Sequence, residues 1–120
     1  MKILVAVDGS AYTKRMLGYL AAHDELFGDA HDYTVLTAVP AVPPRAAAVI
    51  DKETLAEYYG DEAEKVLKPV RTFFDKQGLK SKTLHKVGHP GEVIAKMADT
   101  GKFDLVVMGS HGHGTLGNLV

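Results

Sequence analysis

Two stretches of this 120-residue chain concentrate groups that could hold an anion or take part in a reaction. They are Asp8-Gly9-Ser10 near the start and Gly109-Ser110-His111-Gly112-His113-Gly114-Thr115-Leu116-Gly117 near the end. Four glycines in nine residues let a backbone turn inward and aim several amide hydrogens at one anion. A helix start beyond them would add partial positive charge. The same glycines would equally make a tight strand-to-helix turn. Asp8 also has two readings, a nucleophile or ligand contact at a strand end and a turn-forming Asx residue. A phosphatase of the Asp-x-Asp type needs a second acid at position 10, where Ser10 stands, so the general acid is missing. Ser10 reads most simply as a helix cap.

Other chemistries fail on spacing. Gly112-His113-Gly114-Thr115-Leu116-Gly117 matches GxGxxG by letter, but it begins several residues past the preceding apolar run and no acidic ribose partner follows it. Gly109 to Thr115 imitates a phosphate-binding P-loop except that Thr115 stands where that motif needs Lys. His111 and His113 are two apart, so an extended loop would send them to opposite sides. With no Cys and few carboxylates nearby, they read as solvated loop histidines rather than metal ligands. His85 and His89 give no better metal site.

The elements that must position these loops follow from hydrophobic spacing. Lys2 to Val7 is a short β-branched run that predicts a strand buried on both faces. Met16, Leu17, Leu20 and Ala21 fall at helical spacing in a segment from Ala11 to about Leu26, closed by Gly28 and Asp29. Tyr33 to Val39 predicts the second strand, stopped by Pro40, and Pro40, Pro43 and Pro44 are expected to forbid regular structure for several residues. Asp51 to Gln77 predicts a long helix with an apolar stripe of Leu55, Tyr58, Tyr59, Ala63, Val66, Leu67, Val70 and Phe74, kinked at Pro69 and ended by Gly78. Ser81 to Val87 is the third strand. Pro90 opens a short helix with Val93, Ile94, Met97 and Ala98 on its buried face, ended by Gly101. Phe103 to Met108 is a second doubly buried run and the fourth strand. The order βαβαβαβ predicts one α/β domain over residues 1–120 with a doubly wound, parallel, Rossmann-like sheet. Ligands of such sheets sit beyond the carboxyl ends of the strands, where strand order reverses.

Composition narrows the function classes. Fourteen Lys plus Arg against fifteen Asp plus Glu give a formal charge of −1, with no basic stripe to neutralise a nucleic-acid backbone. No Cys is present, which removes disulfides and thiolate chemistry and is compatible with a reducing compartment. The longest early apolar run stops at Asp8, too short for a secretory core or a membrane span. The expectation is a cytoplasmic protein with no membrane and no nucleic-acid partner.

Taken together, Lys2-Ile3-Leu4-Val5-Ala6-Val7-Asp8-Gly9-Ser10 and Phe103-Asp104-Leu105-Val106-Val107-Met108-Gly109-Ser110-His111-Gly112 resemble the universal stress protein family. The resemblance extends to the Pro-rich break, the long helix after it and the turn Val87-Gly88-His89-Pro90-Gly91. It implies an adenine nucleotide alpha hydrolase-like fold with strand order 3-2-1-4(-5), the fifth strand lying beyond Val120, so that the domain is C-terminally incomplete and the fourth strand is left as an edge. It also implies that ATP, alone or with Mg, binds between the first and fourth strands. Asp8 would meet adenine or ribose, with Gly9 and Ser10 beside it. The backbone of Val39 would meet the adenine edge and Met108 its face. Gly109 and Gly112 would cradle ribose and phosphates, with Ser110 and His111 beside the phosphates. The Pro40 to Ile50 stretch would close over the base, with Arg45 as a further phosphate contact.

The family's usual homodimer pairs fifth strands, which leaves the dimer geometry open here. With no strong general base in the motif, the resemblance implies slow ATP hydrolysis at most. The alternative within the family is a nucleotide-free dimeric interaction module. A nucleotidyl transferase or hydrolase of the same sheet type would carry its His-x-Gly-His signature after the first strand, whereas His111-Gly112-His113 follows the fourth.

Overall fold

The computed structural model describes residues 1–24, 27–28 and 30–109. Its elements are β1 (Lys2–Ala6), α1 (Ala11–Ala22), β2 (Asp32–Val39), α2 (Pro44–Ala48), α3 (Lys52–Lys76), β3 (Ser81–Val87), α4 (Pro90–Thr100) and β4 (Leu105–Met108). The four strands form one parallel sheet in the order β3-β2-β1-β4. β1 pairs with β2 from Lys2↔Asp32 to Ala6↔Leu36, and with β4 from Ile3↔Leu105 to Ala6↔Met108. The chain therefore walks outward through β2 and β3, then returns across β1 to place β4 on its other side. The reversal lies between β1 and β4, as expected of a doubly wound sheet.

Alternation along the strands decides which helix packs where. Ile3, Val5 and Val7 join Tyr33, Val35 and Val39 in one core with Met16, Leu17 and Leu20 of α1 and Ala63, Leu67, Val70 and Phe74 of α3. Leu4 and Leu36, also fully buried, occupy the opposite face. α4 lies against β2 and contributes Val93, Ile94, Met97 and Ala98, all half-buried, as its inward stripe. These four are the residues expected to face inward, although none is fully covered.

Several boundaries differ from the sequence-based expectation. α1 ends at Ala22, four residues before Leu26, which lies with Asp29 outside the described residues. After Met16, Leu17 and Leu20 the next stripe position is the exposed Asp24, which interrupts the apolar stripe. The Pro-rich segment is not devoid of regular structure: Pro44 opens the short helix α2. Proline at a first helical position has its φ preset and needs no donor, and Arg45-Ala46-Ala47-Ala48 are good helix formers. α3 runs unbroken through Pro69.

β1 closes at Ala6, although the Val7 amide still donates to the Leu36 carbonyl at 2.9 Å. β4 begins at Leu105 rather than Phe103, because the Phe103 amide is spent on the Ala98 carbonyl at the end of α4. Nor is β4 doubly buried: Leu105 and Met108 are exposed, and the strand is an edge of the described sheet. Among the described residues no helix is long and apolar enough to cross a membrane.

Candidate functional site

The carboxyl edge of the sheet collects the loop after β1, the end of β2 and the end of β4. After β1 the chain turns at Gly9, whose φ of +78° is left-handed and strained for any residue with a side chain. A Cβ there would also stand 3.3 Å from Val66 of α3. The turn delivers Ser10 as the cap of α1, its hydroxyl accepting the Tyr12 amide at 3.2 Å.

Asp8 is held by a small network. Its Oδ1 accepts the Ser10 amide at 2.9 Å and the Thr13 hydroxyl at 2.8 Å, and the Asp8 amide donates to Thr13 Oγ1 at 3.1 Å. The Asx-turn reading of Asp8 is therefore correct, and it leaves the ligand reading open, since the turn orients a carboxylate that remains exposed.

Asp8 and Val39 line one cavity of about 440 Å³, together with Thr37, Ala38, Pro40, Tyr58, Glu62, Lys65, Val66 and Pro90. That volume lies within the usual range of small-molecule sites, roughly 300–1,000 Å³. Its floor is the end of β2, where Thr37 and Val39 are buried, and one wall is α3. The Val39 carbonyl already accepts the Gly88 amide at 2.9 Å, so a ligand has one remaining lone pair to use.

In the α3 wall, Lys65 Nζ lies 2.7 Å from Glu62 Oε2. The hydrogen bond and charge of Lys65 hold the Glu62 carboxyl below the usual carboxylate range, and Glu62 raises Lys65 in return.

On the other side of β1, Gly109 explains itself by close approach. A Cβ there would fall 2.5 Å from the Tyr12 carbonyl oxygen in the first turn of α1. Met108 precedes it at the end of β4, level with Ala6 and exposed. Neither lines the cavity that Asp8 and Val39 share. Ser110, His111 and Gly112 lie outside the described residues. Arg45 is exposed on α2. The Pro40–Ile50 stretch is anchored to α3 by the Val42 amide donating to the Tyr59 hydroxyl at 2.9 Å. Among the described residues no cluster of His, Asp and Glu could hold a metal ion.

Sequence reasoning missed Thr13, Thr37, Glu62 and Lys65, and placed Tyr58 and Val66 only in the core. Thr13 and Thr37 carry a faint signal, each being a hydroxyl at a position whose spacing calls for an apolar side chain. Tyr58 and Val66 were part of the apolar stripe of α3, yet Tyr58 is 46% exposed and turns to the cavity rather than the core. Glu62 and Lys65 fall at i+4 and i+7 from Tyr58, which puts them on that same face of the helix.

Comparison with known proteins agrees with this architecture. An Arabidopsis thaliana universal stress protein family protein, crystallised with AMP bound, superposes with a TM-score of 0.71 over 96% of this chain and 80% of its own, at 18% identity. A universal stress protein in complex with cAMP gives 0.68 over 100% of this chain and 84% of its own, at 19% identity. At these identities the likeness is one of fold. A universal stress protein of Synechocystis sp. is 32% identical over 119 residues, 99% of this chain. The chain spans 35% of the length of that relative. The profile of the universal stress protein family matches residues 1–120. With the strand order, the paired strand-end motifs and this match in agreement, the chain belongs to the universal stress protein family.

Proposed function

We propose that the chain binds an adenine nucleotide, ATP with or without Mg, at the carboxyl edge of its sheet, and does little or no efficient catalysis. The observation that carries this reading is the cavity in which the Asp8 carboxylate and the end of β2 at Val39 share one wall system beside the β1/β4 reversal. The fold relatives bound to AMP and cAMP support the ligand class.

In this reading the nucleoside enters between β2 and α3, with Asp8 on the base or ribose and the Val39 backbone on the base edge, while Met108, across β1, lies outside that cavity. Asp8 is better suited to the nucleoside than to the phosphates, because a carboxylate beside a triphosphate is repelled unless a cation intervenes. Gly9 and Ser10 set the Asp8 turn. Gly109, Ser110, His111 and Gly112 serve the ribose and phosphates, and Mg, when present, would neutralise phosphate charge there. The protein acts in this reading as a cytoplasmic homodimer.

Calorimetric titration with ATP and with adenosine tests the assignment. Asp8→Asn is expected to weaken both ligands by a similar factor, and Gly112→Val to weaken ATP while leaving adenosine nearly unchanged. Loss of ATP binding with unchanged adenosine binding in Asp8→Asn would move Asp8 to a metal-bridged phosphate role. No change in either would reduce it to a turn former.

A further inference from the structure

β3 closes the sheet on the side away from β4, and among the described residues nothing pairs with its outer edge. All seven of its residues run in unbroken parallel register with β2, from Tyr33↔Ser81 to Val39↔Val87. Exposed edges are commonly blunted by a proline, a bulge or a covering element. β3 contains neither proline nor glycine, and its register shows no bulge. What it carries is charge. Between Asp75 and Glu92 the chain has no acidic residue, while Lys76, Lys80, Lys82 and Lys86 stand there with His85 and His89. On a chain of formal charge −1 this basic character is local. No ion pair among the described residues involves Lys80, Lys82, Lys86 or Lys96. Glu64 of α3 is already bound to Arg71 at 2.9 Å, and that guanidinium also donates to Thr83 of β3 at 3.1 Å.

Alternation sorts the groups on the strand. Leu84 pairs with Leu36, so Lys82, Leu84 and Lys86 share the sheet face opposite α1 and α3. On that face a cavity of about 240 Å³ opens between β3 and α4, lined by Lys86, Val87, Val93, Lys96, Met97 and Thr100. Apolar Val93 and Met97 beside two lysines suit a carboxylate on a short aliphatic stem, which is a glutamate side chain.

We propose that the free edge of β3 docks an extended acidic segment of a partner protein, which joins the sheet as a further strand with carboxylates at alternate positions toward α4. Main-chain hydrogen bonds along the edge supply affinity, and Lys82, Lys86 and Lys96 select the sequence. A second copy of this chain is the wrong occupant. Pairing two β3 edges sets the lysines of one against those of the other, and like charges across strands are destabilising. Charge on an edge thus repels a like strand and draws in an opposite one.

The test is fluorescence anisotropy of the intact chain with a labelled peptide, Val-Glu-Val-Glu-Val-Glu-Val. Saturable binding that weakens with added salt is expected, and none for the peptide with Lys in place of each Glu. Two further analogues are N-methylated at one or the other set of alternate amides. The set that faces β3 should lose roughly tenfold or more, and the set that faces away should stay within about threefold of the parent. Lys82 and Lys86 are exposed, so their reversal leaves the core untouched. The double variant Lys82→Glu, Lys86→Glu should bind the acidic peptide roughly fivefold or more weakly. Absence of saturable binding by the acidic peptide would overturn the proposal. So would two N-methylated analogues that bind alike, because strand hydrogen bonds then play no part in the difference. Wild-type affinity in the double variant would place the peptide elsewhere, and inorganic polyphosphate binding as tightly as the peptide would make the edge a polyanion site; either result also overturns it.

Discussion

Asp8 takes part in two hydrogen bonds with Thr13, one from each of its ends, and this makes Thr13 the residue on which the carboxylate geometry depends. Thr13 is 4% exposed, so its hydroxyl has few partners other than Asp8. Thr13→Val keeps the shape and removes both bonds. It is expected to cost ~1 kcal/mol in urea unfolding and to weaken AMP binding, and wild-type affinity in that variant would show that Asp8 needs no such support. The sequence made Asp8, Gly9, Ser10 and Gly109 legible because strand-end loops announce themselves through acid, hydroxyl and glycine clusters. For Gly109 the reason turned out to be contact with the Tyr12 backbone, which no local pattern encodes. Thr13, Thr37, Glu62 and Lys65 were hidden for a related reason: each belongs to an element whose period was already explained by its apolar neighbours.

The long helix α3 is the element that joins core to cavity. One face inserts Ala63, Leu67, Val70 and Phe74 between sheet and solvent, and the adjoining face carries Tyr58, Glu62, Lys65 and Val66 to the cavity. Phe74 is fully buried and packs against Tyr33 with ring centroids 5.4 Å apart. Phe74→Ala is expected to lose about 3–5 kcal/mol in chemical denaturation, a large share of the stability of a domain this size, and a loss under 1 kcal/mol would mean the core collapses around the gap.

The start of α3 is set by Asp51, which caps the Thr54 amide at 2.7 Å. Hydrogen bonds from Thr54 lower the Asp51 pKa from its ordinary value of 3.8. A lowered folded pKa means that this contribution is complete above the unfolded value and disappears as pH falls through the folded one. Asp51→Ala should therefore lower the melting temperature at neutral pH, and the difference from wild type should vanish in acid below the carboxylate range. An equal difference at both pH values would show that the cap does not act through its charge. The capping signal was readable in the sequence only as the beginning of a helix. The short helix α2 was missed because three prolines were read as breakers, while Pro44 at a first helical position starts one.

At the scale of the whole molecule, the alternation of strands and helices was enough to read a parallel α/β sheet, and the strand order β3-β2-β1-β4 agrees with what the family resemblance implied. Order is not a local property, since four apolar runs separated by helices admit several arrangements, and only the reversal between β1 and β4 creates a crevice. The burial of β4 was misjudged because Leu105-Val106-Val107-Met108 has the composition of a central strand whether or not a neighbour covers it.

The sheet also has a cavity at its opposite edge, about 230 Å³, lined by residues that include Leu20, Phe27, Gly28, Phe73 and Leu79. The two edges give the central claim its most direct test, a two-dimensional amide NMR titration of the chain with AMP. Binding at the carboxyl edge predicts saturable shifts of the Asp8, Thr37, Val39 and Glu62 amides on one binding curve, with Gly28 and Leu79 unmoved. Saturable shifts centred on Gly28 and Leu79, or no saturable shift at Asp8 and Val39, would contradict it.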